Sequence, residues 1–236
     1  MVFDQRTTAV DQFREFTFAA HLKGAQVIID LAINHTGWGS RLLEDHPEWF
    51  LRNKDGTFKS PGAWGVVWGD LVELEQHHNT ELWEVCADAF LTWCRRGVDG
   101  FRCDAGYMVP QQAWQYITAR VRQEFPDTIF LLEGLGGPWS ATEALLTDGG
   151  MQWAYSELFQ NYSGREVATY LDHANVQSRR VGVLVHYSET HDNERLAKGG
   201  RAWSLLRNQL CALTSTCGAF GFTCGVEWLA NERIDV

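Results

Sequence analysis

Ala25-Gln26-Val27-Ile28-Ile29-Asp30-Leu31-Ala32-Ile33 is the stretch of sequence that decides the fold. It is a short and nearly continuous apolar run, which is typical of a strand buried on both faces of a parallel sheet. Similar runs alternate with stretches of helical periodicity and lie at 98–104, 128–133, 151–155, 181–187 and 218–223. This alternation predicts an α/β fold with a parallel sheet, either doubly wound or closed as a barrel.

Helix starts and buried helix faces can be predicted from the same pattern. Thr80 is placed to cap one helix, and Ser163-Gly164-Arg165-Glu166 is a capping box that starts another. In one predicted helix Trp114, Ile117 and Val121 point inward, and in the last predicted helix Leu206, Leu210 and Leu213 recur at helical spacing.

Composition excludes several classes of protein. The chain has 236 residues, of which 45% are hydrophobic and 13% aromatic, so it is not a disordered chain. With 20 Lys and Arg against 30 Asp and Glu, and no basic cluster, we expect no nucleic-acid partner. The apolar runs are too short to span a bilayer, and residues 1–6 do not begin a secretory signal. The six cysteines include no C-x-x-C pair, so we expect reduced thiols in a cytoplasmic protein.

Polar side chains gather where the predicted strands end. They are Asn34-His35, Arg102-Cys103-Asp104, Glu133 and His191-Asp192. Because ligands bind at the carboxyl ends of strands in a parallel α/β sheet, we expect the functional site at this edge. Gly134-Leu135-Gly136-Gly137 does not match the dinucleotide motif, so a nucleotide cofactor is not predicted.

The carboxylates among these residues differ in their predicted surroundings. Arg102 and Asp104 are two residues apart on a strand and point to the same side, where the cation stabilises the ionised carboxylate. Glu133 follows an apolar strand, and such surroundings raise a carboxyl pKa. With Asp192 as a third carboxylate, the set suits cleavage of a glycosidic bond. Taken singly, each carboxylate could instead form a strand-end salt bridge or a helix cap.

In four motifs the sequence resembles the α-amylase family of α-retaining glycoside hydrolases and transglycosidases. In chain order they are Asp30-Leu31-Ala32-Ile33-Asn34-His35, Gly100-Phe101-Arg102-Cys103-Asp104-Ala105, Leu132-Glu133-Gly134 and Glu189-Thr190-His191-Asp192-Asn193. Leu71-Val72-Glu73-Leu74-Glu75 is similar to a weaker fifth motif, with Glu in place of the usual Asp. The resemblance extends from about residue 10 to residue 228 and keeps the family's order and spacing.

The resemblance implies a double-displacement mechanism on an α-glucan or maltooligosaccharide. Asp104 would be the nucleophile, Glu133 the general acid and base, and Asp192 the residue that stabilises the transition state. The sugar hydroxyls would be bound by His35 and His191.

Supporting roles are implied for further residues. Arg102 would orient Asp104, and Asp30 would be a structural, buried partner near the strand end. No cofactor is required by this chemistry. Asn34, together with Glu73, could bind Ca²⁺ through oxygen, with a hydrogen-bonded structural Asn34 as the alternative. Metal ligands therefore remain unassigned, and we expect His77-His78 to be solvated or capping.

The sequence also departs from the family. Tyr107 and Met108 occupy positions where many amylases carry a Lys-His pair on the leaving-group side, so endo-cleavage of starch is not implied. The stretch from His46-Pro47-Glu48-Trp49-Phe50 through Asp55-Gly56 resembles a segment of maltosyltransferases that use maltose-1-phosphate, which makes such an enzyme one alternative. A non-catalytic amylase-like module is another, although such relatives usually lose the carboxylates. A metal-dependent barrel hydrolase would need an early H-x-H pair, which the sequence lacks.

Residues 36–70 lack periodicity, and in the family this position holds a small subdomain inserted in the barrel. Four tryptophans of this segment could stack on sugars or form a local core, and they are Trp38, Trp49, Trp64 and Trp68.

The family barrel also bears on the length of the chain. An eight-stranded barrel takes about 250 residues, and only about 25 residues precede the strand that matches the family's third. The resemblance thus implies an incomplete (β/α)8 TIM-type barrel over 1–236, with strands corresponding to the third to eighth. We expect a fragment of a longer product that is unstable or oligomeric alone, since it exposes apolar edges. The sequence does not decide its oligomeric state.

Overall fold

The computed structural model describes residues 7–234. Residues 1–6, in which the sequence predicts no secretory signal, lie outside the described residues. The chain divides into two compact units after Gln152, so the described residues fall into a first unit, 7–152, and a second unit, 153–234. None of the described helices is long and apolar enough to cross a membrane.

The first unit contains five helices and seven strands among its described residues. The helices are α1 (Ala9–Leu22), α2 (Arg41–Asp45), α3 (Thr80–Cys94), α4 (Gln111–Glu124) and α5 (Trp139–Thr147). The strands are β1 (Ile28–Ala32), β2 (His35–Gly37), β3 (Gly62–Ala63), β4 (Val66–Val67), β5 (Leu71–Glu73), β6 (Gly100–Asp104) and β7 (Ile129–Leu132).

Strand β6 lies between β1 and β7, and all three are parallel, as the apolar runs predict. The register pairs Ala32 with Asp104 and Cys103 with Leu132, so the carboxyl ends of the three strands are level. Glu133 follows β7 directly, and its backbone N–H donates to the Cys103 carbonyl at 3.1 Å. This register places Asp104 and Glu133 on neighbouring strands at the same edge of the sheet.

Aromatic side chains from the helices pack against β6 and β7. Phe90 of α3 is fully buried, with its ring centroid 4.6 Å from that of Phe101 and 5.6 Å from that of Phe130. The buried Trp114 of α4 donates from Nε1 to the Gly106 carbonyl at 2.8 Å. The core therefore reaches directly to the segment that follows Asp104.

The start of α3 differs from the prediction by one residue. Asn79 caps the helix, because its Oδ1 accepts from the Leu82 backbone N–H at 3.1 Å, and Thr80 is the first helical residue.

The two ends of the segment 36–70 are joined by backbone pairing between β2 and β5. Strands β2 and β5 pair antiparallel, with His35 opposite Glu73, and β3 and β4 form a hairpin with Trp64-Gly65 at its turn. Trp49 is buried and stacks on His46 with ring centroids 4.0 Å apart, which is the local packing expected of a small core. That this segment is a subdomain stays a prediction.

The second unit is also built from alternating strands and helices. They are β8 (Trp153–Tyr155), α6 (Gly164–Arg180), β9 (Val183–His186), α7 (Arg201–Thr214) and β10 (Ala219–Phe220). Strand β9 lies between β8 and β10, and the three are parallel. The predicted capping box is confirmed, since the Ser163 side chain accepts from the Glu166 N–H and the Glu166 side chain accepts from the Ser163 N–H.

The buried face of α7 carries Arg207 rather than Leu206 and Leu213. Leu206 and Leu213 are 56% and 79% exposed, whereas Arg207 is buried. The Arg207 guanidinium donates to the carbonyl of Leu158, within the short 3-10 helix Glu157–Gln160, and to that of Asn161, which follows this helix. Because this group satisfies several buried acceptors at once, it determines which face of α7 turns inward.

Candidate active site

Asp104 is held at the end of β6 by Arg102. Arg102 Nη1 donates to Asp104 Oδ1 at 2.6 Å and to Asp30 Oδ2 at 2.6 Å. Both bonds are charge-assisted and short, and the Arg102 side chain is only 13% exposed. The expectation that Asp30 is buried is wrong, since its side chain is 55% exposed. Arg102 therefore bridges two carboxylates on neighbouring strands.

His35 lies beside Asp104. Its Nε2 is 3.9 Å from Asp104 Oδ2, and its side chain is 10% exposed. Burial lowers the pKa of His35 against the opposing effect of Asp104, so the ring is neutral at neutral pH. The ring also meets the edge of Trp68 at a centroid distance of 5.9 Å. A neutral imidazole in this position can donate or accept one hydrogen bond to a sugar hydroxyl.

Glu133 is half-buried and hydrogen-bonded by the backbone. Its Oε2 accepts from the Ala105 N–H at 2.9 Å and its Oε1 from the Leu135 N–H at 2.8 Å. Burial raises the pKa of Glu133, and the negative charge of Asp104 acts in the same direction, while the two backbone bonds and Arg102 oppose the rise. A carboxyl group in these surroundings is suited to hold a proton and to donate it.

Ala105 is a site residue that the sequence does not reveal. It has left-handed backbone angles, φ 46° and ψ 32°, which cost a non-glycine residue of the order of 1 kcal/mol. In this conformation the Ala105 N–H points to the Glu133 carboxylate. Because Ala105 is the residue after Asp104, this hydrogen bond fixes Glu133 next to the end of β6.

Tyr107 and Met108 follow in a short 3-10 helix, Gly106–Met108. Burial raises the pKa of Tyr107 to about 12, with smaller contributions from Glu133 and Asp104. The Tyr107 hydroxyl therefore keeps its proton at neutral pH and can donate a hydrogen bond.

His191 and Asp192 lie in the second unit, in the segment between β9 and α7. His191 Nε2 is 3.4 Å from Asp192 Oδ2, and their side chains are 39% and 69% exposed. The Asp192 N–H donates to Thr190 Oγ1 at 3.2 Å, and Thr190 Oγ1 donates to Asn193 Oδ1 at 2.6 Å. The segment thus has its own hydrogen bonds and leaves both predicted side chains accessible.

A buried ion pair lies on either side of His191-Asp192 along the chain, and the sequence did not predict it. Arg195 Nε lies 2.5 Å from Glu189 Oε1, and both side chains are 2% exposed. The Glu189 carboxylate also accepts from the Leu196 N–H at 2.7 Å, and Arg195 donates to the Cys224 carbonyl at 3.0 Å. In the sequence, the only indication of this ion pair is that an acidic and a basic residue flank His191-Asp192. Exposed ion pairs can have the same spacing, so the sequence does not indicate that this pair is buried.

The residues present do not fit a calcium site. Asn34 is buried, and its Nδ2 donates to Met108 Sδ at 3.3 Å, while Glu73 forms an ion pair with Lys59 at 2.7 Å. Ca²⁺ takes six to eight oxygen ligands. Within residues 7–234 there is no group of three or more His, Cys, Asp or Glu side chains that could hold a metal ion. The pair His77-His78 therefore has no third ligand of these types nearby.

Comparison with known proteins gives relatives along most of the chain, although no protein-family model matches it. It is 29% identical over 234 residues to the α-1,4-glucan:maltose-1-phosphate maltosyltransferase of Rhodospirillum rubrum, covering 95% of this chain and 33% of the relative. The enzyme of the same name from Pseudomonas aeruginosa is 27% identical over 226 residues, covering 92% of this chain and 33% of the relative. The chain thus spans about a third of the length of these curated relatives.

Solved structures agree with the fold. An α-amylase from Lactobacillus plantarum superposes with a TM-score of 0.79 at 27% identity, covering 96% of this chain and 57% of that one. The α-amylase of Geobacillus thermoleovorans in complex with acarbose has a TM-score of 0.75 at 20% identity, covering 98% and 56%. These matches confirm the predicted fold class, an incomplete (β/α)8 barrel. The sequence relatives, the solved structures and the parallel α/β units together support the predicted resemblance to the α-amylase family.

Proposed function

We infer that the chain carries the catalytic residues of an α-glucan-active enzyme that cleaves α-glucosidic bonds with retention. In this proposal Asp104 is the nucleophile, Glu133 is the general acid and base, and Asp192 stabilises the transition state. The substrate hydroxyls are bound by His35 and His191.

The contrast between Asp104 and Glu133 is the observation that carries the proposal. Asp104 accepts a short charge-assisted hydrogen bond from Arg102, which stabilises its carboxylate. Glu133 is half-buried, and burial raises its pKa. One group suited to attack and one suited to hold a proton, on adjacent parallel strands, are what double displacement requires.

In the first step, a carboxylate oxygen of Asp104 forms a bond to the anomeric carbon while the bond to the leaving oxygen breaks. Glu133 gives its proton to that oxygen, and a covalent glycosyl ester of Asp104 results. In the second step, Glu133 takes a proton from water or from an acceptor hydroxyl, whose oxygen attacks the anomeric carbon and releases Asp104. Two inversions give net retention.

Transfer from maltose-1-phosphate is the second candidate, because the curated relatives carry that name. The two candidates differ only in the leaving group and the acceptor.

A cytoplasmic location is also part of the proposal. It is supported by four buried free thiols, which are Cys86, Cys94, Cys103 and Cys211.

Replacement of the proton donor tests the assignment. In the first step, Glu133→Gln should release fluoride from α-maltosyl fluoride at nearly the wild-type rate, measured as a burst of fluoride, since fluoride leaves without a proton, and it should lose at least 100-fold on maltotetraose. Equal losses on both substrates would contradict the role of Glu133. Analysis of products from maltotetraose, with and without maltose-1-phosphate, then separates hydrolysis, chain-length redistribution and phosphate release.

A further inference from the structure

Lys59, in the segment 36–70, forms an ion pair with the strand that lies opposite His35. Its Nζ is 2.7 Å from Glu73 Oε2. The backbone of Lys59 is fixed on both sides, because its N–H donates to the Leu51 carbonyl at 2.9 Å and its carbonyl accepts from the Glu73 N–H at 2.9 Å. The ammonium group is therefore held beside Glu73 by backbone that is already ordered.

The Glu73 carboxylate and the His35 imidazole are neighbours on one face of the β2–β5 pair. His35 is directly opposite Glu73 in this antiparallel register. The side chains of opposite residues lie on the same face of the pair, with Cβ atoms about 4.5–5.5 Å apart. The Glu73 side chain is 15% exposed and that of His35 is 10% exposed. A mostly buried carboxylate therefore lies beside a mostly buried ring.

The His35 ring has a nitrogen without a hydrogen-bond partner. Its Nδ1 is buried, and no group within residues 7–234 forms a hydrogen bond with it. Its Nε2 is 3.9 Å from Asp104 Oδ2, which is too long for a hydrogen bond. Asp70 is a further carboxylate that acts on the ring, and it lies in an exposed position where solvent screens its charge. A carboxylate that lost its own partner beside this ring would have an imidazole N–H to accept from.

Lys59 prevents that exchange by engaging Glu73. Without the ammonium group, Glu73 would be a mostly buried charge that lacks its 2.7 Å counter-ion, and the opposite imidazole could donate to it. A hydrogen bond to a carboxylate stabilises the imidazolium form of histidine. An imidazolium is in turn attracted to Asp104 Oδ2, the oxygen on the His35 side, since Arg102 holds Oδ1 at 2.6 Å. His35 would then be withdrawn from the sugar, and it would cover Asp104.

We propose that Lys59 is a positioning residue, which holds Glu73 so that His35 stays available to the substrate and does not cover Asp104. Lys59 itself contacts no reacting atom in this proposal. The proposal rests on the proposed function, which assigns His35 to sugar binding and Asp104 to attack. It adds a residue of the segment 36–70 to the site.

Turnover of maltotetraose tests the positioning role by rescue. Lys59→Met should lower kcat/KM about tenfold, the order expected when a mostly buried carboxylate loses its charged partner. Lys59→Arg should remain close to wild type, because it keeps the cation. The double variant Lys59→Met with Glu73→Gln should recover most of the loss, because no carboxylate is then left to draw on His35.

Lys54→Met, at an exposed position of the same segment, is the matched control and should behave as wild type. An unchanged rate in Lys59→Met would overturn the proposal. So would a double variant that is no faster than Lys59→Met, since a purely structural ion pair gives that result.

Nitrogen NMR of the histidine side chains tests the same role without turnover. The signals of His35 are assigned with His35→Gln, and in the wild type they should show a neutral ring at neutral pH. In Lys59→Met they should shift toward imidazolium values, and in the double variant they should return to the wild-type values. Unchanged His35 signals in Lys59→Met would contradict the proposal. If the wild type does not turn over maltotetraose, the proposed function fails, and the NMR comparison still decides whether Lys59 controls His35.

Discussion

The buried pair of Glu189 and Arg195 gives a quantitative prediction about the segment that carries His191-Asp192. In Glu189→Gln the Arg195 guanidinium would remain buried, with its 2.5 Å counter-ion replaced by a neutral amide. Loss of one partner of a buried pair costs about 3–5 kcal/mol, and since the amide can still accept from Leu196, we expect about 3 kcal/mol. At about 2–4 °C per kcal/mol for a chain of this size, the unfolding temperature should fall by about 6–12 °C.

Urea unfolding followed by circular dichroism measures this loss, and the same segment offers a matched control. Glu194 pairs with Lys198 at 2.7 Å, but both side chains are more than 60% exposed, so Glu194→Gln should have no measurable effect. The double variant Glu189→Leu with Arg195→Leu should recover most of the stability, because it leaves no unpaired charge. If Glu189→Gln lost no more stability than Glu194→Gln, the reasoning would be refuted.

Two further predictions concern Glu133 and α7. Because the folded pKa of Glu133 is raised, its protonated form favours folding at low pH, and this contribution is lost as the pH rises above the ordinary glutamate value. Glu133→Gln should therefore gain stability relative to wild type between pH 4 and pH 7, measured by urea unfolding, and a constant difference would contradict the raised pKa. In α7, Arg207→Met should destabilise the chain by about 3 kcal/mol, since it removes donors from buried carbonyls. Leu213→Lys should change stability by less than about 0.5 kcal/mol, and the reverse order of effects would contradict the buried role of Arg207.

The positions of the parallel strands could be predicted because each leaves a simple apolar run, although only β6 and β7 are mostly buried and β1 is half-buried. The first run, 25–33, contains β1 (Ile28–Ala32), and the polar residues at the strand ends follow from the same pattern. The pairing of Arg102 with Asp104 was predictable too, since alternation along a strand brings residues two apart to one face.

The errors arise where tertiary contacts decide the outcome. The leucine spacing predicts helix α7, but it does not indicate that Arg207 lies on the buried face, which its hydrogen bonds to distant carbonyls determine. The left-handed backbone of Ala105 is stabilised by a bond to Glu133, 28 residues away, and no local pattern indicates it. The expected burial of Asp30 is wrong for a related reason. Its ion pair with Arg102 forms at a position where the Asp30 side chain stays open to solvent, and the sequence does not show this.

The most direct test of the central claim is to identify the residue that becomes covalently attached to sugar. A 5-fluoro-α-glucosyl fluoride slows the second step of a retaining enzyme, so the intermediate can be digested and sequenced by mass spectrometry. The account predicts one added sugar on the peptide that contains Asp104, no adduct in Asp104→Asn, and a product from maltotetraose with the α configuration. An adduct on another residue, or a β-configured product, would contradict it.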